Sequence, residues 1–148
     1  MSQEHSAGAI IFRNENGRRV YLLLHYISGH WDYVKGHIEK GESLEETVKR
    51  ETMEETGLKD LRFVHGFQHK IQYFFRRGRT TVTKDVVFLL AETQTARVVV
   101  SEEHKGYDWQ PYAQALEKTT FETAKSVLRK AEEFLNVYGN QKVPDNIR

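Results

Sequence analysis

The feature that most constrains this chain is a short glutamate-rich helix with clear start and stop signals. Ser43 followed by Glu46 has the spacing of a capping box, in which each side chain bonds to the other residue's backbone N–H. Gly57 stands where many helices end in a left-handed residue. Because residues three and four apart are neighbours on a helix, one face between these signals carries three carboxylates: Glu51, Glu54 and Glu55.

The hydrophobic pattern of this helix predicts where the carboxylates point. Its inward stripe is defined by three residues spaced four apart: Leu44, Val48 and Thr52. At about 100° per residue, Glu51 and Glu55 fall on the edge of that stripe, and Glu54 lies beside them. On the same projection, Arg50 points away from Glu51 and Glu55. We therefore expect two of the glutamates to point toward the protein.

Carboxylates that are partly buried and close together repel one another and lose hydration. They must take up protons, pair with cationic side chains or bind a metal. Several carboxylate oxygens that converge on one point favour a hard cation such as Mg²⁺ or Mn²⁺. The alternative is a salt-bridged surface helix, since glutamate-rich helices are common. The helix alone does not decide between these two interpretations.

Length and composition limit the class of protein. The 148 residues are enough for one compact domain, and we expect a single domain over residues 1–148. The absence of cysteine excludes disulfides and thiolate metal sites, and no histidine pair has zinc-site spacing. A net charge of +1 argues against a strong overall field for nucleic acid. Since no apolar run is long enough to span a membrane and the N-terminus lacks a signal-peptide pattern, we expect a cytoplasmic protein without a membrane partner.

Strands and two helices can be predicted from the pattern of apolar residues. The predicted strands are 8–12, 20–26, 97–100 and a long hairpin of 61–76 with 80–92. A second capping-box signal, Thr119 with Glu122, predicts the start of the last helix, whose apolar stripe runs from Phe121 to Leu135. The polar segment 139–148 is expected to be a loose tail. Strands mixed with two or three helices indicate a mixed sheet covered by helices.

The residues around the first helix resemble the Nudix box, G-x5-E-x7-R-E-U-x-E-E-x-G-U, where U is a bulky aliphatic residue. Eight positions match this pattern: Gly36, Glu42, Arg50, Glu51, Glu54, Glu55, Gly57 and Leu58. Seven fixed identities would match by chance on the order of once in 10⁸ start positions. Thr52 replaces an aliphatic residue of the pattern, and we expect this to cost a little packing and no metal site.

The resemblance implies the Nudix fold, an α+β architecture in which a mixed β-sheet is sandwiched between α-helices. It implies metal-dependent hydrolysis of a phosphoanhydride bond in a nucleoside diphosphate-linked substrate, with Mg²⁺, or Mn²⁺, as the cofactor. The implied metal ligands within the box are Gly36 through its backbone, Glu51, Glu54 and Glu55. The implied catalytic residues are Arg50, which orients a glutamate and the loop, together with Glu51 and Glu54. Glu42 would brace the loop.

Three further segments resemble the asymmetrical diadenosine tetraphosphate hydrolases, a group within this family: residues 8–13, 30–37 and 101–109. This likeness implies that Lys35 binds phosphate and that Glu103 is a further metal ligand or acts on the attacking water. It also implies that Tyr73 and Tyr107 stack on adenine, which holds a base by its face. The structural alternatives are a solvated surface charge for Lys35, a turn residue for Glu103 and a sheet-face residue for Tyr73.

The function that these patterns indicate is hydrolysis of diadenosine tetraphosphate to ATP and AMP. An alternative within the enzyme class is a pyrophosphohydrolase acting on the 5′ end of RNA or on a nucleoside triphosphate. The basic run Arg76–Arg79 would favour RNA, whereas stacking tyrosines with room for two nucleosides favour the dinucleotide. An alternative of another class is a nucleotide-binding module without catalysis, against which the intact glutamates argue. The oligomeric state stays open.

Overall fold

The strands form one mixed sheet built around a parallel pair. The structure is a computed structural model that describes residues 2–140, with side chains described for residues 2–138. The strands in this range are β1 (Ser2–Glu15), β2 (Arg18–Tyr26), β3 (Trp31–Asp32), β4 (Val34–His37), β5 (Arg62–Phe63), β6 (His69–Arg77), β7 (Thr80–Glu92) and β8 (His104–Pro111). The helices in the same range are α1 (Leu44–Thr56), α2 (Tyr112–Lys118) and α3 (Glu122–Asn140).

Strand β1 organises the sheet. It pairs in parallel with β7 over most of its length, and its two halves pair antiparallel with β4 and β2. Strands β3 and β8 extend the sheet from β2, while β5 and β6 extend it from β7. Asn16 and Gly17 close the β1–β2 hairpin with φ angles of 52° and 84°, the geometry of a two-residue turn whose twist matches its strands.

Apolar side chains cover both faces of the sheet. On one face, helices α2 and α3 pack over a cluster that includes Tyr21, Leu23 and Phe88. On the other, Val48 of α1 packs in a second cluster with Leu22 and Leu24. The predicted α+β fold, with a mixed sheet between helices, is confirmed. In the range that the structure describes, no helix combines the length and apolar character needed to cross a membrane.

Two of the predicted strands are wrong. Segment 61–76 is interrupted, because after β5 the chain turns at His65 and Gly66 and rejoins the sheet only at β6. Segment 97–100 is not a strand. The backbone N–H of Val99 bonds instead to the Thr56 carbonyl at the end of α1, at 3.0 Å. This segment therefore packs against a helix terminus, where Val98 is buried and Val99 is 60% exposed.

The start of the last helix also differs from the prediction. Thr119 follows the end of α2, where its hydroxyl donates to the Ala115 carbonyl at 2.8 Å, so it does not cap α3. Helix α2 was missed because seven residues hold too little periodic pattern. The apolar stripe of α3 is buried as predicted at Ala124, Val127, Leu128, Ala131 and Leu135. Helix α3 runs to Asn140, and the rest of the predicted tail lies outside the described residues.

Candidate active site

Local sequence signals set the limits of α1. The Ser43 hydroxyl accepts the Glu46 N–H at 3.1 Å, and the Glu46 carboxylate accepts the Ser43 N–H at 2.8 Å, so the predicted capping box is present. Gly57 ends the helix, as predicted. Thr52 is fully buried and its hydroxyl has no hydrogen-bond partner among the described residues. Its cost is therefore an unmatched hydroxyl in the interior.

The three glutamates of α1 lie at different depths. Glu55 is 5% exposed, and its Oε1 atom has no hydrogen-bond partner within the described chain. The Glu51 side chain is largely buried, whereas the Glu54 side chain is 58% exposed. Burial, followed by the neighbouring Glu51, raises the pKa of Glu55 to about 10. The inward direction predicted for Glu51 and Glu55 agrees with the structure.

Arg50 holds Glu51, contrary to the helical projection. Its guanidinium donates to the Glu51 carboxylate at 2.9 Å, to both Glu42 oxygens at 2.7 and 3.0 Å, and to the His37 carbonyl at 2.9 Å. The prediction was wrong because it placed only the Cα–Cβ direction, while the long arginine side chain bends back to the preceding loop. The Arg50 guanidinium in turn lowers the pKa of Glu42 to about 2.

Strand β4 brings the backbone of Gly36 against the carboxylate end of the Glu51 side chain. A Cβ atom placed there would collide with the carboxylate of Glu51. The backbone of residue 36 and the Glu51 carboxylate therefore lie side by side. Because the glycine is required by this contact, its place in the pattern has a direct physical reason.

A non-regular segment brings Glu103 to the same helix. The Ser101 N–H bonds to the Glu55 carbonyl at 3.3 Å, next to the bond between Val99 and Thr56. The Ser101 hydroxyl then accepts the Glu103 N–H at 3.3 Å. The result is a cleft of about 540 Å³ that we name the carboxylate cleft, lined by Glu51, Glu54, Glu55, Ser101, Glu102 and Glu103.

The donor set of the carboxylate cleft fits a hard divalent cation. Carboxylate oxygens are the ligands that Mg²⁺ and Mn²⁺ prefer, and Glu55 offers a buried oxygen with no hydrogen-bond partner in the range described. Within residues 2–138, no three histidine, aspartate or glutamate side chains are already close enough together to hold a metal ion. Arg50 holds one oxygen of Glu51, and Glu54 is exposed, so a full coordination shell requires flexible carboxylates to turn inward.

A second cavity, of about 400 Å³, lies beside Lys35 and is aromatic in part. We name it the aromatic cavity; its lining residues are His30, Asp32, Lys35, Ile71, Tyr73, Phe121, Thr123 and Ala124. The Lys35 ammonium donates to buried Asp32 at 2.9 Å. Tyr26 contacts the surroundings of both cavities. Its ring stacks on His30 of the aromatic cavity at 4.5 Å and meets His104, whose Nε2 lies 3.6 Å from Glu55 of the carboxylate cleft, edge-on at 4.4 Å.

The sequence missed several residues of the aromatic cavity. Phe121 was predicted to be part of the core stripe, but it is 48% exposed and lines the cavity. His30 and Asp32 lie in one of the segments that carried the family resemblance, yet nothing in that segment indicated their partners or depth. Tyr26 was taken only as the end of a strand. The stretch from His30 to Lys35 was the available signal, since it places polar and aromatic residues directly before Gly36 of the Nudix box.

Tyr73 and Tyr107 lie on different faces of the sheet. Tyr73 packs against the cluster beneath α3 and lines the aromatic cavity. Tyr107 stands opposite Leu24 in the β2–β8 ladder, and directly opposed residues point to the same face. Leu24 belongs to the cluster beneath α1, so Tyr107 points to that side. The two tyrosines therefore do not enclose one base.

The fold and the carboxylate helix agree with a family match over most of the chain. Residues 3–131 match the model of the NUDIX domain, and the chain belongs to the Nudix family. The hydrolases of this family are metal-dependent. Asymmetrical bis(5′-nucleosyl)-tetraphosphatases of Mus musculus and Caenorhabditis elegans are 34% and 31% identical to it. Each alignment covers 88% of this chain, and 94% and 95% of the relatives.

Solved structures extend the comparison to the fold. A crystal structure of a C. elegans Ap4A hydrolase binary complex matches with a TM-score of 0.80 and 27% identity, over 91% of this chain and 99% of that one. The NUDIX domain of Shewanella oneidensis NrtR, complexed with ADP ribose, matches with a TM-score of 0.70 and 20% identity, over 91% and 90%. That second likeness concerns the fold alone. The predicted Nudix hydrolase, homologous to the asymmetrical tetraphosphatases, is confirmed.

Proposed function

We propose that this protein hydrolyses diadenosine tetraphosphate to ATP and AMP with the help of Mg²⁺ or Mn²⁺. One observation carries the proposal: Tyr26 contacts both His30 of the aromatic cavity and His104 beside Glu55 of the carboxylate cleft, and the ammonium of Lys35 lies 5.9 Å from the centre of the Tyr26 ring. A nucleoside held in the aromatic cavity would thus extend its phosphates past a cation toward the glutamates. The names of the curated relatives support the same substrate.

Oxygen ligands for the cation would come from Glu51, Glu54, Glu55 and Glu103, with the backbone carbonyl of Gly36 beside them. When bound, a divalent cation neutralises phosphate oxygens and makes a water molecule a usable nucleophile near neutral pH. Glu51 would be held for this task by Arg50, whose own position is fixed by Glu42 and the His37 carbonyl. Glu55 would contribute a buried carboxylate, for which water does not compete with the cation.

The remaining chemistry is a proton transfer and a displacement at phosphorus. Glu54 and Glu103 line the carboxylate cleft, and we propose that one of them accepts the proton of the attacking water. The water oxygen bonds to phosphorus while the bridging P–O bond breaks, and the leaving phosphate carries the electron pair away. Arg50 would act through Glu51 and not on the substrate, because its N–H groups are already directed to carboxylates and a carbonyl.

The aromatic cavity would hold one nucleoside. Tyr73, Phe121 and His30 offer ring faces and edges against which a base can stack without its edge being read. Lys35 would contact phosphate with the N–H groups that Asp32 leaves free, since an ammonium has three donors and Asp32 accepts one. Asp32 would fix the direction of the lysine side chain.

The contacts of the β6–β7 hairpin tip favour the dinucleotide over an RNA substrate. Arg77 is paired with Glu4 at 3.0 Å, and its guanidinium lies 5.3 Å from the centre of the Phe75 ring. Arg76 donates to the Arg79 carbonyl at 3.4 Å. The positive charge of Arg77, which could otherwise contact an RNA phosphate, is therefore already paired with Glu4. Arg76→Ala combined with Arg77→Ala is expected to leave diadenosine tetraphosphate hydrolysis within about threefold of the parent protein.

A substrate panel tests the proposal. The protein is incubated with diadenosine tetraphosphate, nucleoside triphosphates and 5′-triphosphate RNA, each with Mg²⁺, with Mn²⁺ and with chelator, in ¹⁸O-labelled water. We expect ATP and AMP from the dinucleotide, label in only one of the two products, and no turnover in chelator. Two molecules of ADP, or faster turnover of RNA, would overturn the substrate. No turnover of any substrate would instead support a binding module.

A further inference from the structure

A buried histidine faces the buried end of Glu55. The His104 side chain is completely excluded from solvent, and its Nε2 atom lies 3.6 Å from Glu55 Oε1. Neither atom has a hydrogen-bond partner in the described part of the chain. Two buried polar atoms left unmatched beside each other are costly unless they serve one another. The proposed hydrolysis leaves His104 without a task.

One tautomer of His104 satisfies the contacts on both sides of its ring. The Ser101 hydroxyl oxygen accepts the Glu103 N–H at 3.3 Å and can give its own hydrogen to the His104 Nδ1 atom, 3.1 Å away. A hydroxyl has one hydrogen to donate, and a neutral imidazole has one donor and one acceptor nitrogen. With Nδ1 accepting, Nε2 carries the hydrogen. When a bound cation keeps Glu55 ionised, its carboxylate can only accept, and it lies on the side of that N–H.

The position of the His104 ring is set by its surroundings. Its backbone N–H bonds to the Ser101 carbonyl at 3.1 Å, at the start of β8. The Tyr26 ring meets it edge-on at 4.4 Å, and the Tyr26 hydroxyl is itself held by the Tyr33 carbonyl at 2.6 Å. A shift of about 0.7 Å by the Glu55 carboxylate would bring the pair into hydrogen-bonding distance. The carboxylate is the more movable partner because a glutamate side chain has three rotatable bonds and a histidine side chain has two.

We propose that His104 is a positioning residue that holds Oε1 of Glu55 through its Nε2–H and so presents Oε2 to a divalent cation in the carboxylate cleft. The inference rests on the proposed role of Glu55 as a metal ligand. Partners of this kind fix the direction of ligating side chains, and their removal commonly weakens metal binding by about 10- to 100-fold. Ser101 would then affect Glu55 only through His104, by favouring the tautomer that carries its hydrogen on Nε2.

Metal binding without substrate tests this role. Mn²⁺ affinity of the metal-free protein is measured by electron paramagnetic resonance for the parent, His104→Leu and His104→Gln, with melting curves to verify folding. Leucine removes the donor, and we expect its Mn²⁺ dissociation constant to rise by about 10- to 100-fold. Glutamine retains an N–H donor, and we expect it to restore affinity to within about threefold of the parent. A folded His104→Leu protein with parental affinity would overturn the proposal, as would a glutamine variant as weak as the leucine variant.

A measurement on the unmodified protein covers the case in which the leucine variant does not fold. Nitrogen-15 spectra of the imidazole, recorded with saturating Mg²⁺ so that Glu55 is ionised, distinguish the two neutral tautomers, and we expect His104 to carry its hydrogen on Nε2. A hydrogen on Nδ1 would overturn the proposal. If the parent protein binds no Mn²⁺, the metal role of Glu55 fails with the proposed function. If the parent binds Mn²⁺ and the leucine variant binds it equally well, this inference alone fails.

Discussion

Replacing Glu55 by glutamine should stabilise the metal-free protein while it abolishes most of the activity. Glutamine has nearly the shape of a protonated glutamate and carries no charge at any pH. The parent side chain is buried beside Glu51, and these surroundings raise its pKa to about 10. The substitution therefore removes an ionisable group that the folded state accommodates poorly without a cation.

The magnitude follows from the two pKa values of Glu55. The folded state keeps the proton up to about pH 10, whereas the unfolded chain releases it near 4.5. Between these values the folded state binds more protons, so the free energy of unfolding of the parent falls by about 1.4 kcal/mol for each rise of one pH unit. At pH 7 the loss relative to pH 4.5 is about 3 kcal/mol. A glutamine side chain at this position has no such loss, so the variant should gain on the parent as the pH rises.

Urea unfolding in chelator at several pH values between 5 and 8 measures this difference. Glu54→Gln is the matched control, because that side chain is mostly exposed; its stability should stay within about 0.5 kcal/mol of the parent at every pH. With Mg²⁺ present, we expect Glu55→Gln to lower kcat by at least ~10²-fold. A stability difference between parent and Glu55→Gln that does not change with pH would refute the reasoning, as would a parent that is the more stable protein at pH 8.

Two further comparisons use matched pairs. Gly36→Ala should displace the Glu51 carboxylate, a flexible chain end, so the melting temperature should change little while kcat falls at least ~10²-fold. Gly106→Ala, where a Cβ meets nothing within 4 Å, should behave as the parent, and equal activity in both variants would contradict the contact. Tyr73→Ala should weaken diadenosine tetraphosphate binding by about 1–3 kcal/mol, measured by calorimetry with a non-hydrolysable analogue. Tyr107→Ala should weaken it less, since Tyr107 lies outside the aromatic cavity, and equal losses would show that it also holds a base.

The parts of the fold that the sequence predicted are those with local causes. The start of α1 depends on Ser43 and Glu46, which are three residues apart, and its end depends on Gly57. In each case the energetic cause lies within one turn of chain, so the sequence contains all of it. The inward direction of Glu51 and Glu55 follows from helical periodicity in the same way.

Segment 97–100 shows why other parts could not be predicted. Its β-branched residues have the propensity of a strand, but the Val99 N–H bonds to the Thr56 carbonyl of α1, more than 40 positions earlier. β-propensity mostly measures fit to a partly buried surface, and the end of a helix can offer such a surface as well as a sheet can. The neighbouring bond from the Ser101 N–H to the Glu55 carbonyl brings Glu103 to the carboxylate cleft. From the sequence, only the family resemblance suggested that Glu103 belongs to the site.

The sequence by itself determined the chemical groups of the candidate site and the helix that carries most of them, because cap, periodicity and residue type are local. Tertiary structure decided which groups meet. It turned Arg50 onto Glu51, set His104 against Glu55 and separated Tyr73 from Tyr107 by the thickness of the sheet. Such pairings depend on side-chain reach and on strand register between distant segments. Those quantities are fixed only when the whole core packs, since a shift of one residue in register reverses the face of every side chain.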